Sequence, residues 1–256
     1  MSKARQTEKM SKGCKRVDKM LSKLGSKKLE KGVPTPSVFA LETPCRVLLA
    51  GSSGSGKTQW LIKYLATYGT KQFDLVLFCA PSASLIQPKL KVLKKAFGEF
   101  FVKIPCDNHQ LNTSELDNQL TNAKTQGWHV AVVLDDLMLI ARDKYISQLF
   151  ISGRHSNIST FQLSQNILTG NKTARLNCSA YILFNFGQKR EVTTLADQCT
   201  TTKSKAKDIG QAYEKIMKRS KHGCLILDMV GRSTKEWPSR ARDTAMDVFI
   251  PELWDA

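Results

Sequence analysis

The sequence predicts an α/β domain on a mostly parallel sheet with helices on both faces, and three observations carry that expectation. From about residue 38 onward, short apolar runs alternate with helical stretches, the pattern of strands joined by crossover helices. A Gly/Ser-rich loop follows one of these runs and opens a helix. A second run, Val130–Leu134, ends in two adjacent carboxylates, Asp135 and Asp136.

The elements follow in order. Arg46–Ala50 reads as the first strand, and a helix is expected from Lys57 to Tyr68. Asp74–Ala80 is the second strand, Lys89–Phe97 a helix and Phe100–Ile104 a short strand. A polar helix over Ser114–Thr125 precedes the apolar strand Trp128–Leu134. A helix over Leu137–Ile151 and strands Ile158–Leu163 and Tyr181–Phe186 come next. Polar helices over Glu191–Cys199 and Lys203–Ser220 lead to strand Cys224–Asp228, expected to close the pattern. The runs are short and continuously apolar, as in a parallel sheet covered on both faces.

Composition narrows the class. The chain has 256 residues, 41% of them apolar, which suits one large domain better than two. No apolar run approaches the roughly eighteen residues of a membrane helix, and no apolar stretch of signal-peptide type opens the chain. An intracellular protein is therefore expected. Seven cysteines are scattered singly without a CxxC pair, a pattern of reduced thiols rather than of a disulfide framework or zinc site.

The net charge is +17. A polyanionic partner is implied, nucleic acid being the commonest. Residues 1–32 hold eleven Lys or Arg against three Asp or Glu, and few large apolar groups. Residues 1–36 read as a disordered basic arm ending in the hinge Val33-Pro34-Thr35-Pro36. Residues 37–256 then form the folded domain.

The loop Gly51-Ser52-Ser53-Gly54-Ser55-Gly56-Lys57-Thr58 fits G-x-x-x-x-G-K-[ST] at every position. Its glycines let the backbone curl so that successive N–H groups face phosphate oxygens, and the following helix adds its positive end. Lys57 reaches the β- and γ-phosphates of ATP, and Thr58 offers a hydroxyl to Mg²⁺. Lys-Thr after the last glycine has no structural use of its own, which sets the loop apart from a merely flexible one.

A buried parallel strand presents its C-terminal residues at the ligand edge of the sheet. Asp135 is thus the expected Mg²⁺ partner and Asp136 the candidate to polarise the attacking water. Capping of the next helix by one of them is compatible with this. Asp135 lies 78 residues beyond Lys57, a spacing that predicts a strand inserted between the two motif strands rather than the adjacent strands of small-molecule kinases.

Two further polar groups flank the strand Ile158–Leu163. Gln165, just beyond its tip, is the candidate γ-phosphate sensor or holder of the lytic water, with loop capping as the structural alternative. Arg154, just before the strand, is the candidate arginine finger reaching a neighbouring subunit's nucleotide; such a residue raises hydrolysis by roughly 10³–10⁵-fold. A DNA-phosphate contact or a surface ion pair would equally explain an arginine there. His155 lacks a second ligand at metal spacing and reads as structural.

Gly51–Thr58, Val130–Asp136 and Ile151–Gln165 together resemble the viral genome-packaging ATPases of the FtsK–HerA superfamily, of the type found in poxviruses, other large DNA viruses, virophages and Polinton-like elements. The likeness covers roughly residues 40–230. It implies a RecA-like core and a ring of identical subunits, a pentamer or hexamer. It further implies ATP-driven movement of double-stranded DNA into a preformed capsid, with capsid proteins as partners. The compartment would be the host nucleus, a cytoplasmic factory or the virion. Asp136 departs from the superfamily's usual Glu, and its side chain is shorter by about 1.5 Å. Body cations around Lys189–Arg190 and Lys203–Lys207 are candidates for the DNA phosphates, contacts that carry no base information.

Three other readings stay open from the residues alone. A P-loop helicase or transposition ATPase shares almost every feature. A P-loop kinase would need an acceptor pocket. A nucleic-acid-binding structural protein with a vestigial loop would have no use for the acidic pair.

Overall fold

The computed structural model describes residues 41, 43–107, 110–137, 144–168, 172–186, 189–199, 203–219, 222–229, 240–243 and 248–249. The basic arm and its proline hinge lie outside them.

Nine strands are described: β1 (Arg46–Ala50), β2 (Leu75–Ala80), β3 (Phe101–Pro105), β4 (Val130–Leu134), β5 (Ile158–Ser164), β6 (Ala180–Leu183), β7 (Leu225–Asp228), β8 (Arg240–Asp243) and β9 (Val248–Phe249). They form one sheet in the order β3-β2-β4-β5-β1-β6-β7-β8-β9. Every pairing from β3 to β6 is parallel, and β6–β9 pair antiparallel. The two motif strands are not neighbours, as expected, but the strand between them, β5, follows both motifs in sequence and is not one of the elements (β2 and β3) that the 78-residue spacing spans.

Side-chain alternation divides the core into two halves. On one face, Val47 and Leu49 of β1 and Val133 of β4 pack with α1 (Lys57–Tyr64) and α2 (Lys91–Phe97), through residues such as Leu61, Leu93 and Phe97. On the other, Leu48, Val132 and Leu134 pack with α3 (Thr113–Thr125), α4 (Lys144–Ser152), α6 (Lys189–Cys199) and α7 (Lys203–Arg219), through Leu116, Phe150, Leu195 and Ile209. A short helix, α5 (Lys172–Leu176), precedes β6. Burying each such large side chain contributes about 1.5–3 kcal/mol. Cys45, Cys79, Cys106, Cys178 and Cys224 are buried within this core and joined in no disulfide.

Several expected boundaries move. The helix after the loop ends at Tyr64 and continues as a π turn over Leu65–Gly69. One turn is too short for apolar periodicity to separate the two geometries. Helix Leu137–Ile151 is described only from Lys144, with residues 138–143 outside the described set. Strand Tyr181–Phe186 shortens to Ala180–Leu183. The pattern does not close at Asp228, because β8 and β9 extend the sheet. Arg-Ala-Arg-Asp in β8 lacks the β-branched or aromatic residues that mark a strand, so its pairing with β7 is invisible to local pattern.

Candidate nucleotide site

The loop after β1 is fixed by its neighbours on both sides. Gly51 N–H donates to the Ser164 carbonyl at the end of β5 (3.2 Å), and Ser52 donates from N–H and hydroxyl to the Asn185 carbonyl beyond β6 (both 2.8 Å). A Cβ on Gly51 would stand 2.6 Å from Phe184 Cβ and 2.9 Å from Ser55 Oγ, so only glycine fits. Gly54 and Gly56 take φ of 73° and 105°, a region other residues enter at a cost of roughly 1–2 kcal/mol. The resulting curl opens α1, whose Trp60 N–H bonds to the Gly56 carbonyl (2.9 Å).

Lys57 folds back over this loop. Its Nζ donates to the Gly51 carbonyl (2.7 Å) and the Ser52 carbonyl (2.9 Å). Burial lowers its pKa, and the charges of Asp135 and Asp136 oppose that shift.

Asp135 is the first residue beyond β4. Its N–H donates to the Cys79 carbonyl of β2 (2.9 Å), and its side chain is only 8% exposed. The Thr58 hydroxyl donates to its carboxylate at 3.3 and 3.2 Å. Burial raises the Asp135 pKa; the Lys89 ammonium, the Thr58 bond and Lys57 pull it down, while Asp136 adds to the rise. Asp136 is exposed and holds φ 58°, which aspartate tolerates better than most residues because its short side chain bonds locally.

These groups line one cavity of about 320 Å³ at the C-terminal edge of the sheet, within the size range of ligand sites. The loop forms its floor, Asp135 and Asp136 one wall, and Ser164 and Gln165 another. Gln165 is exposed, and its amide makes no hydrogen bond among the described residues. The loop behind it is stiffened: Glu191 accepts from Ile167 N–H (2.7 Å) and Asn166 Oδ1 from Leu168 N–H (2.8 Å). Ser55 Oγ is buried with no partner among the described residues. The curled backbone of the loop and the hydroxyl–carboxylate pair of Thr58 and Asp135, hard oxygen donors on one cavity, fit a Mg²⁺-bound polyphosphate.

The remaining wall comes from Ser84, Gln87 and Lys89, which the sequence analysis did not single out. In the sequence Lys89 marks only the start of an expected helix. The available signal was topological: the segment after β2, like those after β1, β4 and β5, leaves a parallel strand at the ligand edge.

Arg154 is not brought to this cavity. It is exposed in the turn Gly153–Ser156 that precedes β5, and so lies at the opposite edge of the sheet. Seven residues of strand put about 20 Å between those edges. There it neighbours Arg46, whose pKa is lowered by burial and then by the charge of Arg154. His155 is exposed beside it. Arg190 on α6 and Lys207 on α7 are exposed; the side chains of Lys189, Lys203 and Lys205 lie outside the description. No helix among the described residues is long and apolar enough to cross a membrane.

Residues 39–236 match the family model described as the Poxvirus A32 protein. No curated protein matches the chain. Among solved structures, the DNA-packaging ATPase B204 of Sulfolobus turreted icosahedral virus superposes with a TM-score of 0.54 at 13% identity, over 78% of this chain and 96% of its own. B204 of Sulfolobus turreted icosahedral virus 2 in complex with ATP-gammaS gives 0.53 at 13%, over 79% and 98%. Its complex with AMP gives 0.52 at 13%, over 75% and 96%. These likenesses establish the fold, a RecA-like α/β core.

Proposed function

The chain belongs to the Poxvirus A32 protein family, whose model spans residues 39–236, and from that premise we propose that it is an ATP-driven motor that moves double-stranded DNA into a viral capsid. One observation carries the enzymatic part. Lys57, Thr58, Asp135, Asp136 and Gln165, drawn from three separated segments, line a single cavity at the ligand edge of the sheet. The fold-mates add support, since B204 is described as a DNA-packaging ATPase and has been solved with ATP-gammaS.

Each residue then has a task. Lys57 leaves the carbonyls of Gly51 and Ser52 for the β- and γ-phosphates, whose other oxygens meet the loop amides and the N-terminus of α1. Thr58 and Asp135 would hold Mg²⁺, which when bound would neutralise charge on the phosphate oxygens. Asp136 accepts the proton of the attacking water, and Gln165 orients that water or contacts the γ-phosphate.

Arg154 serves the neighbouring subunit. Its place on the far edge from its own cavity leaves action in trans as its route to a nucleotide, which requires a ring of subunits in head-to-tail contact. Release of the γ-phosphate relaxes that contact and shifts the subunits' DNA-facing loops. Exposed cations such as Arg190 and Lys207, with the basic arm, meet DNA phosphates without reading sequence, so binding weakens steeply with salt.

The kinase reading is disfavoured by β5 standing between β1 and β4. The deciding experiment is steady-state phosphate release from Mg²⁺-ATP with and without double-stranded DNA, on assembled rings. The motor reading expects release that DNA stimulates and capsid-directed transport that depends on it. Phosphate appearing on an acceptor would favour a kinase, unwinding without packaging would favour a helicase, and rings that never hydrolyse ATP would sink the motor.

A further inference from the structure

We propose that Lys89 is a second cation for the terminal phosphate of the nucleotide, supplied by the same subunit as Lys57 and distinguishing a nucleoside triphosphate from a diphosphate. This deepens the reading of the site as an ATP site and rests on it.

The backbone holds Lys89 in place. β2 ends at the same sheet edge as β1, β4 and β5, and the segment after it turns back along the cavity. Ser84 N–H bonds to the Pro81 carbonyl (2.8 Å) and Leu90 N–H to the Gln87 carbonyl (3.1 Å). Pro88 starts the 3₁₀ turn Pro88–Leu90, with φ fixed by its ring. Leu90 is buried in the core, so the turn is anchored directly after Lys89.

The side chain is half-buried and lines the cavity with Lys57, Asp135 and Gln165. The two lysines differ in occupancy. Lys57 is engaged by two carbonyls, whereas Lys89 has no hydrogen-bond or ion-pair partner among the described residues. Lys89 lines the same cavity as Thr58 and Asp135, the two residues proposed to hold the metal, so the end of a polyphosphate seated there comes within its reach. A partly desolvated cation aimed into a polar cavity calls for an anion, and Asp135 already shares its oxygens with Thr58. A terminal phosphate supplies that anion. A diphosphate reaches Lys57 and the loop amides but leaves Lys89 unanswered. Lys89 also adjoins α2, so loss of the phosphate is felt by a helix whose Leu93 and Phe97 sit in the core.

The test is equilibrium binding of fluorescent ATP and ADP analogues to the full chain without added metal, in EDTA, for wild type, Lys89→Ala, Lys89→Arg and Lys57→Ala. The expected result is a loss of ATP affinity of about 10- to 100-fold in Lys89→Ala, ADP affinity changed by less than about threefold, and recovery of ATP affinity in Lys89→Arg. Lys57→Ala should weaken both nucleotides. If Lys89 is only the counter-ion of Asp135, its effect will vanish in an Asp135→Asn background; the phosphate role requires the effect to persist there. Equal loss of ATP and ADP, no loss of either, or disappearance of the effect in Asp135→Asn overturns the assignment while leaving the ATP site standing. Wild type that binds neither nucleotide, in EDTA or after Mg²⁺ is restored in excess, overturns both. Thermal melts of each variant exclude misfolding as the cause of a loss.

Discussion

The Thr58 hydroxyl lies 3.3 Å from Asp135 Oδ1 and 3.2 Å from Oδ2, joining the loop of β1 to the end of β4 across the intervening strand β5. Both separations are long for a bond between hydroxyl and carboxylate, so the three oxygens face one another without closing on a single partner, as donors to a shared cation do. Thr58→Ala removes one donor. Phosphate release from Mg²⁺-ATP is expected to fall by roughly 10²-fold or more, while Thr58→Ser retains the hydroxyl and most of the rate. A titration of Mg²⁺ at fixed ATP checks it; equal rates for the two variants would remove Thr58 from the metal site.

Asp135 makes the site costly before nucleotide arrives. Burial raises its pKa, so the folded protein holds this proton more tightly than the unfolded chain. Stability from that proton is fully present below the unfolded pKa and is lost as pH rises through the folded one. Asp135→Asn should therefore raise the Tm of the nucleotide-free protein at neutral pH. The advantage should shrink as pH falls through the acidic range and wild type becomes protonated. Hydrolysis should be lost in the same variant at every pH. Melts across that range with parallel phosphate assays separate the two effects, and a variant less stable at neutral pH would show that the carboxylate is a net structural asset.

Gly51 and Gly54 should fail differently when replaced by alanine. At Gly51 the new Cβ meets Phe184 Cβ at 2.6 Å, a clash between backbone-anchored atoms that costs about 1–3 kcal/mol and lowers Tm by roughly 2–12 °C. At Gly54 no atom lies within 4 Å, and only the φ of 73° is strained, at about 1–2 kcal/mol. Nucleotide binding should also fall in Gly51→Ala, because Ser55 on the opposite side of the clash belongs to the phosphate loop. Calorimetry with and without ATP measures both.

The parallel part of the fold was legible because its strands are buried on both faces and announce themselves as continuous apolar runs, as Leu75–Ala80 does with every residue buried. The loop and the acidic pair were legible because their chemistry demands specific residue types at fixed spacing. β8 and β9 were not, since an antiparallel strand at the end of a sheet takes its pairing from a distant neighbour rather than from local pattern. Lys89 escaped for a related reason. One lysine among Lys89, Lys91, Lys94 and Lys95 looks like a solvated helix face, and only the register of β2 beside β4 turns the first of them toward the cavity.

Asp136 tests whether a strained backbone serves a reacting group. Its φ of 58° suits Asn as well as Asp and disfavours Ala. Asp136→Asn should keep the Tm within experimental scatter while lowering phosphate release by roughly 10²–10⁴-fold, the contribution of a positioned general base. Asp136→Ala should lose the same activity and about 1 kcal/mol of stability as well. Full activity in Asp136→Asn would remove Asp136 from the role of general base.

Arg154 lies at the wrong edge of the sheet to serve its own cavity, and that position makes a complementation result decisive. Arg154→Ala has an intact phosphate loop but no finger; Lys57→Ala has an intact finger but no working loop. Each is expected to be inactive alone. Mixed before assembly in equal amounts, they should form rings in which roughly a quarter of the head-to-tail interfaces pair an intact loop with an intact finger. DNA-stimulated phosphate release should therefore return in the mixture, provided interfaces fire independently, and should be absent when the same proteins are assembled separately and then combined. A finger acting within its own subunit could not restore activity in either protocol, because no chain in the mixture carries both residues. Recovery thus assigns Arg154 to the neighbour's nucleotide, and mixed rings that stay silent overturn that assignment.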